Sequence, residues 1–66
     1  MIFKTAAKEH ALKEAPKESC GIVVDDIYYS CNNISDTPKD NFAIHPKDFL
    51  KARSKGKLQY IVHSHP

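Results

Sequence analysis

The pattern of apolar and polar positions begins with an alanine-rich segment from Thr5 to Ala15. Alanine is the strongest helix former, and Thr5 is an acceptable N-cap for a helix that starts there. The alanines recur on one stripe, which suits close packing against a sheet, whereas His10 falls on the polar side of the helix. Pro16 disfavours helical geometry at Ala15 and therefore ends the predicted helix.

Two apolar runs follow and predict a β-hairpin. Cys20 to Val24 is continuous and β-branched, which favours a buried strand, and Ile27 to Cys31 predicts its partner. Asp25-Asp26 between them suits a tight turn, so the two strands are predicted to pair antiparallel. The polar residues Asn32-Asn33 and Ser35 to Asn41 are rich in turn formers and predict a loop.

The rest of the chain predicts a strand, a helix and a last strand. Phe42 to Ile44 is a short apolar run. Pro46 suits the first position of a second helix, with His45 at the start of that helix and Gly56 as its stop. Leu58 to His63 is the last apolar run and predicts a strand.

The order helix, strand, strand, strand, helix, strand predicts an α/β (α+β) fold. We expect a small mixed sheet, with an N-terminal helix and a second helix before the last strand. If the last strand is central, its outer neighbour lies outside these residues, and an exposed apolar edge is expected there.

Length and composition are those of one small globular unit. The chain has 66 residues, of which 41% are hydrophobic and 27% charged, so disorder is not expected. The two cysteines, Cys20 and Cys31, are expected to be reduced, with a single bridge between them as the alternative. We find no signal-peptide pattern and no membrane span, and expect a cytoplasmic product with no membrane partner.

Charge gives little indication of a partner. The net charge of +2 is nearly balanced and does not imply nucleic acid. Basic residues do cluster around the second predicted helix, and a small nucleic-acid binder is the alternative that they suggest. We interpret the cluster as a solvated helix face, because no base-reading motif accompanies it. Its members are Lys47, Lys51, Arg53, Lys55 and Lys57.

The clearest chemical signal is Val62-His63-Ser64-His65-Pro66. Side chains two positions apart on an extended segment share a face, so His63 and His65 can both reach one ion. Imidazole is a common zinc ligand, and a catalytic zinc usually takes three protein ligands and a water. The alternative is a pair of half-exposed polar residues where a strand runs into a loop.

Glu18 is the second candidate, because it stands at the start of the first predicted strand. A carboxylate there can overhang a site built by a neighbouring strand. The alternative is a solvated surface glutamate that follows a proline turn. A further alternative is a zinc site of Cys20, His63 and His65, since Cys20 shares a strand face with Glu18.

Glu-Ser-Cys-Gly-Ile-Val-Val from Glu18, together with His-Ser-His-Pro from His63, resembles the pattern of the JAMM (MPN-plus) zinc peptidases. The sequence around Glu18 is most similar to that of a branch of the family found in tail assembly proteins of lambda-like phages. The resemblance implies the N-terminal portion of a JAMM-like domain over residues 1–66, with zinc as cofactor. His63 and His65 would be zinc ligands, and Glu18 the general base that takes a proton from a zinc-activated water. Pro66 would turn the chain away from the metal.

The resemblance also implies substrates and partners. A peptide or protein substrate is expected, and a tail protein and a cell-wall cross-link both remain open. Phage tail proteins are the expected partners, in the host cytoplasm during assembly or in the virion tail. The family's third ligand, an Asp, and its Ser follow the His-x-His-Pro and have no counterpart here. We therefore expect weak or absent zinc binding and little hydrolysis by these 66 residues. The alternative is a non-catalytic tail assembly or binding module that self-associates through its exposed sheet edge.

Overall fold

A tight turn at Asp25 and Asp26 organises the sheet in the computed structural model, which describes residues 2–65. Both residues have positive φ, 49° and 66°, as in a type I′ turn. This turn matches the twist of paired strands, and aspartate tolerates its left-handed backbone without glycine. The hairpin predicted from the sequence is therefore confirmed, with Cys20 opposite Cys31 at its open end.

The described residues form two helices and three strands. Both pairings of the sheet are antiparallel, and the strand order is β2-β1-β3. The predicted small α/β fold is confirmed, with antiparallel pairing throughout the sheet rather than mixed pairing. The elements are α1 (Ile2–Glu14), β1 (Cys20–Val24), β2 (Ile27–Cys31), α2 (Pro46–Arg53) and β3 (Leu58–His63).

Helix α1 begins earlier than the sequence predicted. It starts at Ile2, so Thr5 lies inside the helix and the N-cap predicted there is wrong. Phe3 stacks on Tyr60 of β3 with ring centroids 5.6 Å apart. This contact stabilises the first turn of the helix, and it cannot be predicted from the sequence pattern around Phe3. The helix ends at Glu14, close to the predicted stop.

The predicted strand from Phe42 to Ile44 is wrong. Only Ile44 pairs, in an isolated antiparallel bridge with Asn33. The Asn33 side chain accepts a hydrogen bond from the Ala43 N–H at 3.0 Å, and this folds the segment back on its own loop. Helix α2 then begins at Pro46 as predicted, and His45 caps it by accepting from the Lys47 N–H at 3.1 Å.

The two helices pack on opposite faces of the sheet. Tyr28 contacts His10 of α1, while its neighbour Tyr29 packs toward α2. Adjacent residues of a strand face opposite sides, so the sheet lies between the helices. The main core is on the α2 side and consists of Ile22, Val24 and Ala52 with Tyr29, Ile44, Phe49 and Leu58 around them.

A β-bulge in β3 sets which side chains face which helix. Val24 is opposite Leu58, but Val23 is opposite Tyr60, so Gln59 is the extra residue. The Gln59 side chain accepts a hydrogen bond from the Asp26 N–H at 2.6 Å, which ties the bulge to the hairpin turn. Beyond the bulge the alternation of β3 is shifted by one position, and His63 lies opposite Cys20.

Strand β3 pairs only with β1 among the strands of residues 2–65. Tyr60 and Ile61 on this strand are 51% and 55% exposed, so the apolar edge expected from the sequence is present. Neither of the two described helices has the length and apolar character that a membrane crossing requires.

Candidate metal and catalytic site

Glu18 is buried at the start of β1. Its side chain is only 3% exposed, which rules out the solvated surface glutamate that the sequence left open. Its backbone N–H donates to the Pro38 carbonyl at 2.6 Å, and its carbonyl accepts from the Asn33 side chain at 2.9 Å. Both backbone groups of Glu18 are therefore held by the loop between β2 and α2.

The His63–His65 segment is fixed by pairing that continues past the end of β3. The Ser64 N–H donates to the Ser19 carbonyl at 3.0 Å, and the Ser64 hydroxyl accepts from the Ser19 N–H at 2.7 Å. Ser64 thus joins the end of β3 to the residue before β1. Pro66, which was predicted to turn the chain away from the metal, lies outside the described residues.

The structure brings the three predicted site residues together. His63 Nδ1 lies 3.3 Å from Glu18 Oε1, and His65 Nδ1 lies 3.8 Å from Glu18 Oε2. The side chains of His63 and His65 are 43% and 83% exposed, so solvent reaches both imidazoles while the carboxylate is enclosed. A buried carboxylate needs polar partners to offset its lost hydration, and the two imidazoles supply them.

A cleft of about 250 Å³ opens at this cluster. The Phe42 ring stacks on the His63 imidazole, with centroids 4.4 Å apart and planes 18° from parallel. Phe42 therefore restricts the orientation of the His63 ring, whereas an exposed imidazole without such a contact rotates freely. The cleft is lined by Glu18, Asp40, Asn41, Phe42, His63 and His65.

Asn33 is a site residue that sequence reasoning missed. Its Nδ2 donates to the carbonyls of Glu18 and Asn41 at 2.9 and 3.0 Å. Its Oδ1 accepts from the N–H groups of Ser35 and Ala43, each at 3.0 Å. One side chain thus joins the Glu18 backbone to the loop that carries Phe42. The only signal in the sequence is an asparagine in a turn-rich stretch, which does not distinguish Asn33 from its neighbours.

The alternative zinc site that includes Cys20 is not assembled. Cys20 is fully buried, and its thiol donates to the Cys31 carbonyl at 3.6 Å. Burial raises the pKa of the Cys20 thiol to about 11, whereas zinc binds the thiolate. Both cysteines are free thiols.

His63 and His65 fit a zinc ion as two of its ligands. Imidazoles at one end of a sheet, beside a buried carboxylate, are a donor set of the kind found in catalytic zinc sites. Within residues 2–65, however, no three or more His, Cys, Asp or Glu side chains are grouped so that they could hold a metal ion. A complete centre would need a ligand from beyond these residues.

Comparison with known proteins gives one informative match. The chain is 38% identical over 65 residues to tail tip assembly protein K of Escherichia phage N15. The match covers 92% of this chain and 27% of the relative, so the chain spans about a quarter of that protein's length. No family model matches the chain, and no solved structure matches it. The chain is thus similar, over nearly all of its length, to part of a phage tail tip assembly protein.

Proposed function

We propose that this chain is part of a zinc-dependent peptidase or isopeptidase of the JAMM type that acts in phage tail assembly or on cell-wall peptides. The observation that carries the proposal is the convergence of two imidazoles on the buried Glu18 carboxylate, at 3.3 and 3.8 Å. The similarity to a tail tip assembly protein supports the phage tail setting and tail proteins as partners.

In this proposal His63 and His65 hold the metal, and Glu18 moves the proton. Zinc, when bound, activates a water and polarises the scissile carbonyl. Glu18 accepts the proton of that water and returns it to the leaving amine. Its enclosure suits this role, because the side chain is only 3% exposed and the hydrogen bonds of its N–H to Pro38 and of its carbonyl to Asn33 fix the backbone that carries it.

Residues 2–65 contain no group of three or more side chains that could hold a metal ion. The proposal therefore requires a third ligand from outside these residues. For the 66 residues alone we therefore expect weak zinc binding and little hydrolysis. The intact mass of the native gene product tests this requirement. A mass well above 7.5 kDa is expected, because the relative is much longer than this chain.

Zinc binding is tested by calorimetric titration of the native gene product, which would supply the third ligand, with Zn²⁺. We expect one ion per chain, and we expect His63→Ala to abolish its binding. His45→Ala is the matched control, because that imidazole caps α2 and lies outside the cleft. If both variants bind zinc as the unaltered chain does, His63 is not a ligand and the proposal fails.

Proton transfer is tested in the native gene product with Glu18→Gln. We expect this variant to bind zinc normally and to lose zinc-dependent peptide hydrolysis, since the amide cannot accept the proton. Hydrolysis at the unaltered rate would remove Glu18 from the reaction.

A non-catalytic tail assembly module is the second candidate function. It is favoured by the incomplete ligand set of residues 2–65 and by the exposed Tyr60 and Ile61 on β3. Such a module would self-associate through the β3 edge without any need for metal. Analytical ultracentrifugation with and without a chelator separates the two candidates, because a dimer that is indifferent to metal supports the assembly module.

A further inference from the structure

The outer edge of β2 is open to another strand. β2 pairs only with β1 among the strands of residues 2–65. In the turn at Asp25 and Asp26, the Ile27 N–H is directed to Val24 of β1. Backbone groups alternate between the two sides of a strand, so those of Tyr28 and Ser30 face outward. These two residues can therefore pair with an added strand.

This edge lies at the floor of a groove between the two helices. A cavity of about 350 Å³ lies on the α2 side, between Ser30 and the lysines Lys51 and Lys55. A cavity of about 330 Å³ lies on the α1 side, between Ser30 and the side chains of His10 and Lys13. Side chains of an added strand alternate between its two faces, so each cavity would take every second one. We call this feature the β2 groove.

Charge distinguishes the two sides of the β2 groove. Lys51 lies on α2 and Lys55 lies in the turn that follows it, and neither makes a salt bridge within residues 2–65. The Asp48 carboxylate on the same wall is occupied by the N–H and the side-chain amide of Asn32, at 2.9 and 3.0 Å. On the α1 side, Glu9 lines the cavity together with Lys13. Because the glutamate offsets the charge of the lysine, this side is less suited to binding an anion.

We propose that the β2 groove binds an extended acidic peptide of a partner protein, which adds to the sheet as a fourth strand. Its main chain would pair with Tyr28 and Ser30, and acidic side chains at alternate positions would meet Lys51 and Lys55. The inference goes beyond the peptidase proposal and does not depend on it, because β1 separates this edge from the strand that carries His63.

The test is an NMR titration of the isotope-labelled 66-residue chain with a capped seven-residue peptide of alternating valine and glutamate. We expect saturable shifts at the amides of Tyr28 and Ser30. The charge-reversed double variant Lys51→Glu, Lys55→Glu should bind roughly tenfold more weakly, because two attractive pairs become repulsive. Lys47→Glu, on α2 with Lys51 but outside the groove, should bind as the unaltered chain does.

Two further measurements keep the proposal falsifiable. Ser30→Pro removes an outward N–H and should abolish binding while leaving the hairpin paired with β1. Should that variant fail to fold, the charge-reversed variant still decides the outcome. Absence of binding, or equal affinity for the charge-reversed variant, overturns the proposal. Concentration-dependent shifts of the same amides without peptide would identify a second copy as the occupant and also overturn it.

Discussion

Gly21 is a position where one added methyl group should strongly perturb the fold. A Cβ at Gly21 would lie 2.5 Å from the Cζ and Oη atoms of Tyr28, well inside van der Waals contact. The Tyr28 ring covers Gly21 from the neighbouring strand, and its hydroxyl is 2.7 Å from His10 Nδ1 of α1. The ring can move away only if it gives up this hydrogen bond and displaces α1.

The expected change in the free energy of unfolding combines two destabilising contributions and one stabilising contribution. Overpacking in a filled site costs about 1–3 kcal/mol, and the lost hydrogen bond to His10 costs about 1 kcal/mol. Alanine recovers about 0.5–1 kcal/mol because glycine loses more backbone entropy in a strand. We expect Gly21→Ala to lower the free energy of unfolding by about 1–3 kcal/mol. The total free energy of unfolding of a chain of this size is only about 3–10 kcal/mol.

The assay is urea unfolding followed by circular dichroism, in a double-mutant cycle with Tyr28→Ala. Without the ring the clash disappears, so Gly21→Ala should become neutral or stabilising in that background. Tyr60→Ala is the matched control, because the atoms nearest to the added Cβ all belong to Tyr28 and not to Tyr60. Equal losses of stability from Gly21→Ala with and without the Tyr28 ring would show that a clash with the ring is not their cause.

Three further outcomes are expected from urea unfolding. Burial lowers the pKa of His10, so as the pH falls this imidazole is protonated in the unfolded chain before it is protonated in the folded one. The free energy of unfolding should therefore decrease as the pH drops below about 6.5. The decrease should be smaller in His10→Gln. Asn33→Ala should cost about 2–3 kcal/mol and speed proteolysis of the loop, whereas Asn32→Ala should cost less. Ile22→Ala should cost about 2–5 kcal/mol, and the exposed Ile61→Ala, directly opposite it, under about 1 kcal/mol. A flat pH profile, equal asparagine losses or equal isoleucine losses would each contradict the corresponding structural reasoning.

Elements governed by neighbouring residues could be predicted from the sequence. The hairpin and the start of α2 at Pro46 follow from local backbone preferences, and both occur where expected. The start of α1 could not be predicted in this way, because Phe3 is held by Tyr60 from the far end of the chain. His10 was placed on the polar side of the predicted helix, but it bonds to Tyr28 because α1 packs on the sheet with that side inward.

The candidate site could be predicted from local sequence, since Glu18 and the His63–His65 pair stand at strand ends. That these three side chains meet depends on how the strands pair in three dimensions. The bulge at Gln59 shifts the alternation of β3, and register between distant strands is not encoded in either strand alone. The surroundings of Glu18 likewise depend on Asn33, whose side chain joins the Glu18 carbonyl to the loop residue Asn41, and these residues are far apart in sequence.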